Sequence, residues 1–137
     1  MNHWLVKSEP FKYSWGKFLK DKKAIWDGVR NYAARNNMRA MKKGDLVFFY
    51  HSNEGLDIIG IAKITKEAFQ DPTTDDPAWS AVELEPFKTL KRPVTLAEIK
   101  ADKQLEGIEL VRLSRLSVAA IKAKEFDRIL ELSEKKK

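Results

Sequence analysis

The spacing of hydrophobic positions changes several times along the chain, and each change predicts an element. His3 to Lys7, centred on Trp4-Leu5-Val6, reads as a strand. It stops at Ser8-Glu9-Pro10, because Pro10 cannot donate to a ladder and holds Glu9 extended. Ser14 is placed to cap a short helix reaching Leu19. Ile25 to Val29 is apolar but broken by the turn-forming pair Asp27-Gly28. Asn31 then caps a helix running to about Met41, with Gly44 as its stop. On that helix Ala34, Met38 and Met41 recur at i, i+4 and i+7 and should face the core. Arg35, Arg39 and Lys42 repeat the spacing one residue on, a basic stripe about 100° around the helix.

Beyond Gly44 the spacing becomes that of strands. Residues 45–51 and 57–65 are β-rich runs joined by Ser52-Asn53-Glu54-Gly55, which has turn chemistry, so they form a hairpin. Asp71 to Pro77 is a polar loop, and Trp79 to Phe87 alternates again. Thr95 and Glu98 stand in capping-box positions for a helix from Leu96 to about Ala101. Residues 110–113 fit either a strand or a helix end. Leu116 to Ala120 suits a last strand, and Lys122 to Leu132 an amphipathic helix with Phe126, Ile129 and Leu130 on one side. Strands dominate the middle and helices both ends. The expectation is one α+β domain, residues 1–134, around a curled and mostly antiparallel sheet, with 135–137 as a frayed basic tail.

Composition narrows the function. The 137 residues contain no cysteine and two histidines, His3 and His51. That removes disulfides, thiol catalysis and zinc-ribbon chemistry, and makes a metal site or resident cofactor unexpected. No apolar run approaches the roughly 20 residues needed to cross a bilayer, and residues 1–7 lack the pattern of a secretory leader. A monomeric cytoplasmic domain is expected. The net charge of +6 is uneven. Residues 1–70 hold 13 basic and 7 acidic side chains, whereas residues 71–137 are balanced. Arg30, Arg35, Arg39, Lys42 and Lys43 lie in one acid-free stretch, a pattern that fits phosphate as well as a solvated helix face.

Catalytic motifs are missing: no clustered glycines, no Gly-x-Ser-x-Gly, and no carboxylate pair with a sequence reason to work together. His51, at a strand end, fits a hydrogen-bonded structural role or a donor to a ligand edge. The four tryptophans say more. Trp4 belongs to a core strand and Trp15 to a sealed edge. Trp26 precedes a turn that can carry it to the surface, and Trp79 follows a loop that can line the same opening. Aromatics beside cations are what a base-stacking site needs.

Four segments together carry a family resemblance: Trp4 to Pro10, Trp26 to Asn36, Gly44 to Ser52, and Arg115 to Val118. In order and spacing they resemble the EVE domain family over nearly the whole chain. The resemblance implies a PUA-like fold, a curled β-barrel with flanking helices, similar at fold level to YTH domains, which read methylated adenine in RNA. It implies a reader of a modified base in DNA or RNA. The pocket would be walled by Lys7 and Ser8, by Trp26, Asp27, Gly28, Val29 and Asn31, by Tyr50, His51 and Ser52, and by Arg115, Leu116 and Ser117, with Trp79 at its opening. Trp26 would stack on the base. Ser8, Asn31 and the 27–29 backbone would meet its edge. Arg30, Arg35 and Arg39, with Lys42 and Lys43, would hold phosphates. The sequence departs from the family pattern in two places. Ala34 stands where members commonly carry glutamine, and only Thr73 to Ala78 separates Asp71-Pro72 from Trp79, which predicts a more open pocket. Two other classes stay in view: an enzyme using His51 or Asp27 for proton transfer, and a small-ligand module that never touches polymer.

Overall fold

A computed structural model describes residues 1–135. Its strands are β1 (His3–Ser8), β2 (Ala24–Trp26), β3 (Leu46–His51), β4 (Asp57–Gln70), β5 (Ser80–Thr95) and β6 (Val118–Ile121). The α-helices among the described residues are α1 (Trp15–Asp21), α2 (Tyr32–Ala40), α3 (Leu96–Ala101), α4 (Glu109–Arg112) and α5 (Ala123–Glu134). The strands form one sheet in the order β2-β5-β4-β3-β1-β6. Only the β1–β3 pair is parallel among these pairings. The expected barrel is corrected in one respect: the end strands β2 and β6 do not pair, so the curled sheet stays open. Its curl comes from four register shifts between the long strands β4 and β5, since each bulge bends a strand and adds twist.

Alternation along the central strands divides the core in two. Trp4, Val6, Val47 and Phe49 face a cluster containing Trp15 and Phe18 of α1 and Ala34 and Met38 of α2. Leu5, Phe48 and Tyr50 point the other way, to a cluster with Ile99, Leu110, Phe126 and Ile129. The sheet is therefore buried on both faces, which is why residues 46–50 read as a continuous apolar run.

The predicted caps are present. Ser14 accepts from the Lys17 N–H, Asn31 from the Ala34 N–H, and Thr95 and Glu98 form a reciprocal box. Ala34, Met38 and Met41 are all buried, as the helical spacing requires. Residues 110–113 resolve toward helix, as part of α4. Strands β4 and β5 extend well beyond their predicted ends, to Gln70 and Thr95. Lys135, first residue of the expected tail, caps α5, and its carbonyl accepts from Arg92 Nε at 2.8 Å. Lys136 and Lys137 lie outside the described residues.

One contact makes a strand glycine obligatory. Trp15 packs against Gly60 of β4, so closely that a Cβ at that position would collide with the indole Cζ2. The ring is fixed there by its Nε1–H, which donates to Thr89 Oγ1 at 3.0 Å, and by the Trp15 backbone N–H, which donates to His51 Nε2 at 3.1 Å. Gly60→Ala should therefore overpack this joint and cost about 1–3 kcal/mol. A lowered urea midpoint at unchanged slope is the expected readout.

Candidate functional site

An open cleft of about 780 Å³ lies on the α1–α2 side of the sheet, within the range of ligand sites. Three segments build it. The end of β1 gives Lys7, Ser8 and Glu9, and the turn leading to α1 gives Lys12 and Tyr13. The connection from β2 to α2 gives Trp26, Asp27, Gly28, Val29 and Arg30. The loop before β6 gives Ser114, Arg115 and Ser117. Asp21, Lys23, Ala24, Ile25 and Ser52 complete the lining.

The aromatic wall is Trp26. Its ring is half-buried, edge-on to Phe49 with centroids 5.8 Å apart and to Tyr13 at 6.3 Å. Tyr13 in turn packs on Phe18 at 6.1 Å. Its hydroxyl donates to Asp21 Oδ2 at 3.1 Å. Burial, followed by that hydrogen bond, pushes the Tyr13 hydroxyl up to about 12. Tyr13 was not among the residues expected from sequence. It stands immediately before the N-cap Ser14, with Phe18 five residues on, the spacing of a hydrophobic staple. That signal was readable.

The turn that carries Trp26 is fixed from outside the cleft. Gly28 has φ +75°, a conformation suited to glycine. Its N–H donates to Asp71 Oδ2 at 2.8 Å, and Arg30 Nη1 donates to the same oxygen at 2.9 Å. The Thr73 N–H and hydroxyl donate to the other oxygen at 2.7 and 2.6 Å. Burial opposes ionisation of Asp71, but these bonds from Thr73, Arg30 and Gly28 outweigh it and hold the carboxyl well below its usual range. On the opposite wall, Lys7 Nζ donates to the Ser114 carbonyl at 2.7 Å, and the Lys7 N–H donates to the Ser117 carbonyl at 3.0 Å. Burial pushes the Lys7 ammonium down. The Ser8 hydroxyl donates to the Tyr13 carbonyl.

The sequence model of the EVE domain matches residues 2–132. The chain belongs to the EVE domain family. Human thymocyte nuclear protein 1 is 38% identical, covering 98% of this chain and 75% of that protein. A protein of Agrobacterium tumefaciens of known structure superposes with a TM-score of 0.95 at 43% identity, over 98% of this chain and 94% of its own. Human THYN1, solved in complex with DNA containing 5-methylcytosine, gives 0.92 at 37% identity over the full length of both chains. A YTH domain of Zygosaccharomyces rouxii shares the fold, with a TM-score of 0.60 at 14% identity, over 99% of this chain and 86% of its own.

In this EVE domain Lys7, Ser8, Trp26, Asp27, Gly28, Val29, Ser52, Arg115 and Ser117 come together at the cleft, as does Arg30. Five other expected members stand elsewhere. Tyr50 points to the opposite face of the sheet, the consequence of strand alternation. His51 turns in toward α1, where its Nε2 is taken by the Trp15 N–H, so it is not a donor at the cleft. Asn31 spends its side-chain oxygen on the cap of α2. With Leu116, it lines a shallower depression beside the cleft. Trp79 stacks on Tyr32 at 5.0 Å, with the Arg30 guanidinium 5.4 Å over its ring. Ala34 is fully buried, part of the α2 seam.

The basic stripe is engaged within the chain. Arg35 Nη1 donates to the Ala78 carbonyl at 2.9 Å. Arg39 donates from Nε to Ser80 Oγ at 3.0 Å and from Nη2 to the Pro77 carbonyl at 3.0 Å. With Arg30 on Asp71 and Thr73, the stripe clamps the 71–80 segment. Lys42 and Lys43 are exposed beyond the end of α2, and neither lines the cleft. No helix among the described residues is long and apolar enough to cross a membrane, and none of their acidic and histidine groups cluster to hold a metal.

Two pH effects follow. A carboxyl depressed in the fold contributes stability above about pH 4 that is lost as the pH falls below it. Asp71→Asn should cost roughly 1–3 kcal/mol at neutral pH, since one of the two buried acceptor oxygens becomes a donor facing donors. It should also flatten the acid limb of a stability-against-pH curve. His51 behaves as a base depressed by burial, with Asp57 opposing. Only its neutral ring can accept from Trp15, so stability should decline as the pH drops below the ordinary value of 6.5. In His51→Gln, whose carbonyl can still accept, urea melts between pH 7 and 5 should show a shallower decline, leaving the share of His3, which burial also depresses.

Proposed function

We propose that this domain is a non-enzymatic reader of a modified base in DNA or RNA, taken from the stack into the cleft. The observation that carries the reading is the half-buried Trp26 ring at the wall of an open cleft, flanked by hydrogen-bonding groups and by cations. A base without its stacking partners is recognised by an aromatic face and by contacts to its edges. Trp26 supplies the face. Lys7, Ser8, Asp27, Ser52 and Ser117 supply side chains for the edge. The human relative solved with 5-methylcytosine DNA supports methylcytosine as the first base to try. No histidine lines the cleft, which gives an enzymatic reading no base of ordinary neutral pKa there.

Phosphates on either side of the base fall to Arg115, Lys12 and Lys23 at the cleft rim. Arg115 is exposed, with no hydrogen-bond or ion-pair partner among the described residues. Lys12 and Lys23 hold only loose pairs, at 3.6 Å to Glu9 and 3.9 Å to Glu83. Arg30, Arg35 and Arg39 have their guanidinium groups committed to the 71–80 segment and are less free to take that role.

The test is titration of matched oligonucleotides carrying 5-methylcytosine or cytosine, single- and double-stranded. Wild type should prefer the methylated strand. Trp26→Ala should cost roughly 1–3 kcal/mol on it and collapse the preference. Equal affinity of wild type for both strands would remove the reading. Arg115→Ala should weaken both strands alike and reduce the log–log salt slope by about one unit. Arg39→Ala should instead lower the melting temperature and change the slope less.

A further inference from the structure

The cleft lining holds both donors and acceptors, but on the turn that carries Trp26 the free charged side chain is a carboxylate. Three carboxylates line it: Glu9, Asp21 and Asp27. Glu9 pairs with Lys12. Asp21 accepts from the Tyr13 hydroxyl and from Lys17 Nζ. Asp27, the residue next to Trp26, has no hydrogen-bond or ion-pair partner among the described residues. Two donors of the same lining are already used. The Gly28 N–H is given to Asp71, and the Ser8 hydroxyl proton to the Tyr13 carbonyl, which leaves Ser8 Oγ with acceptor capacity only. The turn that carries Trp26 thus offers a free carboxylate and an amide already taken, while, among the described residues, the free hydroxyls of Ser52, Ser114 and Ser117 and the guanidinium of Arg115 stand on other segments of the lining.

We propose that Asp27 makes this cleft selective for a base bearing an exocyclic amino group, and against thymine and uracil. The inference rests on the base-reading function and adds the class of base. A carboxylate accepts only, so it pairs with the amino group of cytosine, and equally with those of adenine or guanine. Thymine and uracil carry carbonyl oxygens where cytosine and its partners carry the amine. Their single edge N–H lies between two carbonyls, both of which a carboxylate repels. For a 5-methylated pyrimidine the choice is sharp. 5-Methylcytosine and thymine share the methyl group and the stacking face, and differ on the pairing edge in the amine and the ring-nitrogen proton.

The experiment compares one oligonucleotide sequence with 5-methylcytosine, cytosine or thymine at a single central position, titrated with wild type and with Asp27→Asn. The methyl comparison tests the base-reading function, and the amino comparison tests this inference. Wild type should bind 5-methylcytosine at least roughly tenfold more tightly than thymine, the size of one good edge contact. Asp27→Asn supplies a donor as well as an acceptor, so that ratio should fall toward one, with thymine gaining and 5-methylcytosine losing. Because Asp27 is exposed and makes no internal bond, the variant should melt with wild type. A wild type that binds thymine as well as 5-methylcytosine would overturn the proposal. So would a variant that melts normally and keeps the full ratio, even if methylated DNA is still preferred over unmethylated. Absence of any binding would overturn both.

Discussion

A carboxylate with no exposed surface must be satisfied from within, and Asp71 is satisfied by one wall of the cleft and by its own loop. Its four hydrogen bonds join Gly28 and Arg30, on the turn before α2, to Thr73 on its own loop. The cost of burying an ionised group makes this arrangement stringent: the turn cannot move off without leaving a charge unpaired. Trp26 and Asp27 immediately precede the anchored residue Gly28, so their backbone is set by the same interaction. Arg30, held on Asp71, then covers Trp79, which stacks on Tyr32 at the start of α2. The Trp26 wall of the cleft and the helix behind it hang from one buried acid.

A second constraint comes from the core. Trp15, Phe18 and Phe49 pack ring against ring, and Trp26 and Tyr13 are the outermost members of that cluster. The stacking face is thereby braced by buried neighbours and does not depend on a ligand to order it. Pre-set aromatic faces lose little entropy when they bind. The same bracing explains why the Trp26 ring is partly hidden against Phe49 and Tyr13.

Much of this was legible in the residues. Caps at Ser14, Asn31 and Thr95, the 3.6-residue seam of α2 and the β3–β4 hairpin follow from local rules, and the structure has them. The Trp26 to Arg30 wall was legible through its turn pair and through the family motif. Other features were not. Tyr50 and His51 share a motif with Ser52, but a strand sends successive side chains to opposite faces, and the curl that decides which face meets the cleft is set by bulges between β4 and β5. Asp71 read as loop polarity because its partners lie more than 40 residues away in sequence. The roles of the arginines depended on that same distant loop.

Those arginines show how a charge count can be right about field and silent about contact. Arg30 is neutralised at close range by Asp71. Arg35 and Arg39 are bonded to carbonyls and to a hydroxyl, all neutral, so they keep their full charge while most of their N–H groups are engaged. Each can draw a polyanion toward this side of the domain without touching it, over the roughly 8 Å that physiological salt allows. Among the cleft's cations, Arg115 is the one with no hydrogen-bond or ion-pair partner among the described residues. The excess positive charge of the first 70 residues therefore does two jobs at different ranges. It fastens the loop that carries Asp71, and it gives this side of the domain a field that draws anions.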